Sequence, residues 1–306
     1  MDTTYKPSLH KYSVFVVLWT VLLFFAGALV TSNDAALSVP DWPKSFGTWF
    51  PTWRQLAGGA FFEHSHRVIA GVLGVLTLIL AILIWRLDQR RWMRWLGVIA
   101  VLAVVVQAVL GGEVVRQLLR YWLPVMHALM AELFFAAVIS IAVFTSRWWI
   151  SDRPQLEDRG SPAVHTVALI NAIVIFFQVF LGAGFRHKEI SIWPHAVGGL
   201  VVLATVTWTA IVLRRRFSQS QEITRARVLL HIMFGIQFLL GFGAWMSRVT
   251  TSTAIDPAAS MIILTVVHTV FGALLFALSV VVVLLCYRLV PRGRQVPAVA
   301  PREAAI

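Results

Sequence analysis

Gln178-Val-Phe-Leu-Gly182 and, shortly beyond it, His195-Ala-Val-Gly-Gly199 are the residues from which the fold can be read. Each lies in an apolar stretch of the roughly 20 residues that a helix needs to cross hydrocarbon. The same pairing recurs along the chain. Gln107-Ala-Val-Leu-Gly111 precedes His127, and Gln237-Phe-Leu-Leu-Gly241 precedes His268. An earlier pair keeps the glycine, Gly27, ahead of His66 but lacks the glutamine. The repeating unit is therefore a pair of membrane helices, present four times. It predicts eight spans near 12–32, 63–86, 95–115, 122–146, 163–185, 193–213, 228–247 and 258–288.

Two units make a half. The expected architecture is an all-α integral membrane protein whose eight transmembrane helices form two pseudo-symmetric four-helix bundles. Residues 1–150 form the N-terminal half and 163–290 the C-terminal half, joined by the polar linker 151–162. Residues 291–306, rich in Pro, Arg and Ala, read as a disordered basic tail.

Composition supports this frame. The chain is 58% hydrophobic and only 13% charged, whereas soluble domains average about a quarter charged residues. The net charge of +12 does not point to nucleic acid, because its distribution is one-sided. Of the 26 Lys and Arg, eight (Lys44, Arg54, Arg67, Arg116, Arg120, Arg186, Lys188 and Arg248) fall on the side of the long first loop, and the other eighteen fall on the side of the termini. By the positive-inside rule both termini are cytoplasmic, and the long loop faces outward. The first apolar stretch reads as a span rather than a signal peptide. The only cysteine, Cys286, sits near the inner end of the last span, which excludes an intramolecular disulfide.

His66, His127, His195 and His268 each stand near the outer start of an alternate span, so all four face the same side. Ionisable residues inside spans are costly and mark function, and imidazole is a common axial ligand of haem iron. Two pairs, His66 with His127 and His195 with His268, can hold two haems. A lone histidine in such a run is more often a hydrogen-bonded core residue, but four in register are hard to place that way. His10, His165, His187 and His231 are expected in loops or at helix ends with ordinary roles. The repeated glycines have two compatible readings: close approach of helix backbones in lipid, or room for a flat macrocycle.

Glu63-His64-Ser65-His66-Arg67 is the segment richest in chemistry. Glu63 and His66, three apart, share a helix face, which sets a carboxylate beside a candidate haem ligand where it can take protons or position a water. The plainer reading is a carboxylate stabilised by the helix N-terminus. Arg67, Arg116, Arg120, Arg186 and Arg248 lie at the outer rim, facing lipid headgroups or water. Arg67, Arg116, Arg186 and Arg248 are the candidates for binding haem propionates through bidentate hydrogen bonds. Glu132, deeper than His127, reads equally as a proton relay or as a paired interior carboxylate. The long outer loop, Thr31 to Phe62, carries Pro40-Asp41-Trp42-Pro43 and is expected to form an ordered lid over the first half only.

Taken together, Gly27-Ala-Leu-Val-Thr31, Leu37-Ser-Val-Pro-Asp-Trp-Pro43, Phe62-Glu-His-Ser-His-Arg67, the Gln-x-x-Leu-Gly spans and the four span histidines resemble the haem A synthases of cytochrome oxidase assembly. The resemblance runs from about residue 20 to 288, and the Pro-Asp-Trp-Pro loop followed by Glu-x-x-His-Arg is its most specific part. It implies that haem O is the substrate, bound between His66 and His127. It also implies a haem b between His195 and His268 as electron carrier, successive hydroxylations that turn the C8 methyl into a formyl group, and Glu63 at the position of the essential acid. Haem O synthase, other oxidase assembly proteins and the lipid bilayer are the implied partners, in the cell (inner) membrane. Many relatives carry a cysteine pair in the first outer loop. Here Lys44-Ser45 follow Pro43, the loop has no cysteine, and a disulfide-based mechanism is excluded. Asn33-Asp34-Ala35-Ala36 replaces the glycine-containing turn common in the family.

The alternative is a non-catalytic di-haem membrane cytochrome or assembly factor. Glu63 and a lid on one half alone favour the enzyme, since a pure carrier gains nothing from that asymmetry. A transporter fits less well, because the repeats are parallel and show no broken midplane helix. The charge asymmetry predicts that a reporter active only in the cytoplasm works when fused after Ile306. Activity near Trp53 instead, with none after Ile306, would invert the topology.

Overall fold

The computed structural model describes residues 4–120, 122–252 and 257–291. Nearly all of the tail expected to be disordered, 292–306, lies outside the described residues. The helices are α1 (Pro7–Ser32), α2 (Gly59–Leu87), α3 (Arg91–Arg116), α4 (Leu123–Thr145), the single turn α5 (Arg147–Ile150), α6 (Val164–Arg186), α7 (Ile192–Phe217), α8 (Gln221–Thr250) and α9 (Ala259–Leu289). All but α5 are long and apolar enough to cross a membrane, which makes this a multi-pass membrane protein. Helix is the only form open to such segments, because lipid offers backbone N–H and C=O groups no partner and a helix satisfies them internally. Helices α2, α3, α7 and α8 start earlier and end later than their apolar stretches, since polar flanking turns continue the backbone pattern outside the hydrocarbon.

Local chemistry marks the ends. Pro7 opens α1 and Pro124 opens α4, where a missing N–H costs nothing. Ser220 caps α8 by accepting from the Ile223 N–H. Arg86, Arg214, Arg215, Arg216 and Arg288 stand in last turns, facing the negative end of the helix dipole.

Helices α1 to α4 pack in a ring, each on the next and α4 back on α1. Helices α6 to α9 do the same, and the rings meet through α1 on α9, α4 on α6 and α4 on α9. Helices α4 and α9 are thus the most buried and α3 and α8 the least. Exposed Leu18, Val75, Leu102, Leu200 and Leu239 face outward, as lipid-facing positions do. The core of the first ring joins Val16, Leu73, Leu80, Met93, Phe135 and Val138, and Ala273 and Ala277 of α9 pack into it. Small residues on α9 therefore let the rings approach closely. One expectation fails here. His231 is not at a helix end but inside α8, exposed, because α8 begins ten residues before it, at Gln221.

Phe135 is 1% exposed and packs its ring 5.3 Å from that of Phe24. Phe135→Ala leaves a cavity that neighbours fixed in helices cannot fill, at a cost of about 3–5 kcal/mol. The expected outcome is a clearly lower midpoint in thermal unfolding of the detergent-solubilised protein, with membrane insertion unchanged.

Candidate haem-ligand and lid site

The four span histidines each meet the repeated glycine of the preceding helix. A Cβ built on Gly27 would lie 3.1 Å from Cε1 of His66, on Gly111 3.0 Å from Cε1 of His127, on Gly182 2.9 Å from Cε1 of His195, and on Gly241 2.8 Å from Cε1 of His268. The glycines thus make room first for an imidazole. A side chain there would meet the histidine ring.

The glutamines complete the unit. Gln107, Gln178 and Gln237 donate their amides to the backbone carbonyls of His127, His195 and His268 at 2.9, 2.8 and 3.1 Å. The small residues after two of the histidines receive these amides: a Cβ on Gly198 would collide with Gln178, and one on Gly272 would crowd Gln237. The first pair has Leu23 in place of the glutamine and is tied by Trp19 Nε1 donating to the Ile69 carbonyl at 3.0 Å.

His195 and His268 stand with ring centroids 6.2 Å apart and planes at 86°. Two imidazoles bound to one iron, with bonds of about 2 Å and ring radii of about 1.2 Å, put their centroids about 6 Å apart. His66 and His127 are close enough to interact electrostatically. The Nδ1 atoms of His66, His127 and His268 are buried without a hydrogen-bond partner, as are the Oε1 atoms of Gln107, Gln178 and Gln237. Each orphaned group costs about 1–3 kcal/mol if nothing meets it, so the residues fit a further ligand at each pair. Among the described residues no group of three or more His, Cys, Asp or Glu gathers as a bare metal site.

The long loop is fastened to α2 and α3. Glu63 is 4% exposed, and its Oε1 pairs with Arg67 one turn on while its Oε2 accepts from the Val39 N–H at 2.9 Å. Arg67 also donates to the carbonyls of Val39, Asp41 and Lys44. Its two terminal nitrogens are thus committed to the loop, which leaves only Nε for a propionate. Asp41 accepts from the Phe46 and Gly47 N–H groups at 2.6 and 2.7 Å. Burial pushes its carboxyl up, but those N–H groups, its own backbone and Arg67 outweigh it and hold the group below its ordinary 3.8.

Two residues that sequence reasoning set aside belong here. His64 Nδ1 bonds Ser45 Oγ at 2.9 Å and so anchors the loop. His187, at the end of α6, lies near enough to His127 to feel it, and burial, the Arg186 guanidinium and His127 hold its imidazole down to about 4. No local motif could have found either, since each is defined by a partner distant in sequence. Arg186 donates to Ser32 Oγ at 2.7 Å and so bridges the rings, Arg248 lies over the Phe185 ring, and Arg116 lies over Trp42. Glu132, 4% exposed in α4, keeps Oε2 without a partner among the described residues.

Fold and site define a multi-pass helical membrane protein that sets half-buried histidines against glycines in four helix pairs and ties a long loop to the helix of one of them. The COX15-CtaA family, described as cytochrome oxidase assembly protein, matches residues 10–192, and the chain belongs to it. Among curated relatives, the haem A synthase of Lysinibacillus sphaericus is 27% identical over 195 residues, covering 61% of this chain and 62% of that protein. The haem A synthase of Symbiobacterium thermophilum is 26% identical over 319 residues, covering 93% and 94%. That of Halalkalibacterium halodurans reaches 31% over 138 residues, covering 44% and 43%.

Asp41 is lowered on folding, so it supports the loop fully above its ordinary pKa. That support is lost only as pH falls through the lowered value, and at neutral pH the loop stays tied. Asp41→Asn removes one acceptor and the attraction to Arg67, and amide exchange at Phe46 and Gly47 should quicken at pH 7 while exchange in α4 does not change.

Proposed function

We propose that this protein is a haem A synthase, which oxidises the C8 methyl of haem O to a formyl group by successive hydroxylations. The observation that carries the reading is the asymmetry of two otherwise similar histidine pairs. Both are half-buried against glycines at one end of the bundle, but among the described residues only the helix that carries His66 is tied to a long loop through a buried carboxylate. The family match and the activity of the relatives support it.

In this reading the 1–150 half binds the substrate haem O between His66 and His127, and the 163–290 half holds a haem b between His195 and His268. When bound, haem b supplies one-electron transfer. The protein's own residues do the rest. Gln107, Gln178 and Gln237 fix the helix pairs so that the imidazoles keep their aim. Arg186 and Arg248 neutralise propionates of the second haem, and Arg116, with Nε of Arg67, those of the substrate. The loop excludes water from the reacting edge. Glu63, three residues before His66 on α2, is the residue that takes a proton in this reading. The orphaned Oε2 of Glu132 supports the relay reading of that residue over the paired one. The protein sits in the cell membrane with both termini cytoplasmic and receives its substrate from a haem O synthase, alongside other oxidase assembly proteins.

The second reading, a non-catalytic di-haem cytochrome or assembly factor, is favoured by the family description alone. Extracting the haems from purified protein and separating them by chromatography distinguishes the two: haem O and haem A beside haem b for the enzyme, haem b alone for a carrier. His195→Ala or His268→Ala should abolish the haem b spectrum without loss of the protein from the membrane. Removing a positioned acid or base costs about 10² to 10⁴ in rate, so Glu63→Gln should retain haem but accumulate haem O or a partly oxidised form. Haem A made at the normal rate by that variant would reduce Glu63 to a structural latch.

A further inference from the structure

Helix α3 carries two adjacent glycines with different partners. Gly111 receives His127, and Gly112, which is buried, receives the loop. A Cβ on Gly112 would lie 2.7, 2.8 and 2.9 Å from Cδ2, Cε2 and Cε3 of Trp42. Cδ2 and its two neighbours in the six-membered ring at nearly equal distance mean that this ring turns its face to the α3 backbone. Arg116, one turn further on, stands over the same ring at 5.1 Å. The residue after the repeated glycine is Ala28 in α1, Ala183 in α6 and Phe242 in α8. Only α3, in the ring beneath the loop, offers a seat at this position.

The rest of the loop is fastened on the other side, to α2, through Glu63, Arg67 and the His64–Ser45 bond. Trp42 follows Asp41, whose carbonyl Arg67 holds and whose carboxylate Phe46 and Gly47 hold. The loop therefore crosses from α2, three residues before His66, to α3, one residue past the glycine that faces His127. Trp42 is its far attachment, beside the first histidine pair.

We propose that Trp42, seated on Gly112, is a positioning residue that retains the macrocycle in the first site between its successive oxidations. This rests on the haem A synthase reading. Without the seat, the loop stays tied to α2 but no longer closes on α3, and partly oxidised substrate escapes before the last step.

The test uses the full-length protein and two perturbations that reach the seat from opposite sides. Gly112→Ala fills the seat and displaces the indole, and Trp42→Ala removes the indole and leaves α3 untouched. The first measurement does not depend on turnover: the rate at which bound haem passes from the purified protein to excess apomyoglobin, taking the phase that His127→Ala abolishes as the first site. The second is the ratio of the alcohol intermediate to haem A in extracts. Both variants should speed the first-site phase, leave the second-site phase unchanged and make the alcohol the main product. Trp42→Phe combined with Gly112→Ala should restore both, because the smaller ring fits above the added methyl. Unchanged haem loss in both single variants overturns the proposal. So does faster haem loss with an unaltered product ratio in a protein that makes haem A. If the wild-type protein makes no haem A, the synthase reading falls, and faster haem loss in both variants still supports Trp42 as the residue that retains the macrocycle.

Discussion

An imidazole pressed against a glycine backbone, repeated in four helix pairs, is the contact on which the rest of this protein depends. Lipid gives helices no hydrophobic reason to associate, so their contacts rest on close packing and on hydrogen bonds in a dry medium. A side chain at Gly27, Gly111, Gly182 or Gly241 would occupy the space of the histidine ring. With glycine there, the ring lies across the neighbouring helix and its nitrogens are fixed in direction. The glutamine three residues before the last three of these glycines' preceding leucines then locks the facing helix through a carbonyl that is already helical. Close packing and ligand aim are one feature, and for that reason the unit could be repeated with little change.

Repetition alone would give two equivalent sites. The difference comes from one insertion, the loop between α1 and α2, and from the few residues that hold it. Glu63 and Arg67 form a buried ion pair, and such a pair is worth little to stability unless its remaining hydrogen-bonding capacity is met. Here it is met by the loop backbone, through the Val39 N–H and the carbonyls of Val39, Asp41 and Lys44. The pair is therefore less a strut within α2 than the means by which an irregular segment is held in one conformation next to His66. A cysteine-free loop needs such polar fastening, since no covalent link within it is available.

The interface between the rings is built differently. Ala273 and Ala277 of α9 enter the core of the first ring, Arg186 of α6 reaches Ser32 of α1, and Ser32 bonds Thr265 of α9 at 2.9 Å. Trp122 stacks on Phe180 at 5.5 Å, which joins the start of α4 to α6. These contacts place the two histidine pairs in one rigid frame at the same end of the bundle.

The sequence by itself determined the helical class, the number of spans, the four histidines in register and the segment from Glu63 to Arg67. Each of these is a local or periodic signal: apolar length, a repeated spacing, residues three or four apart on one helix. What only the tertiary structure decided is what each residue touches. That the glycines serve the histidines, that Gln178 needs Gly198, that Arg67 spends its terminal nitrogens on the loop, and that Gly112 seats Trp42 all involve partners on other helices or across a long loop. His231 shows the same limit on a smaller scale: its place inside α8 follows from polar residues that continue a helix beyond its apolar stretch. A spacing rule sees one helix at a time, whereas a contact between helices depends on how far each has been rotated about its own axis, and packing alone sets that rotation.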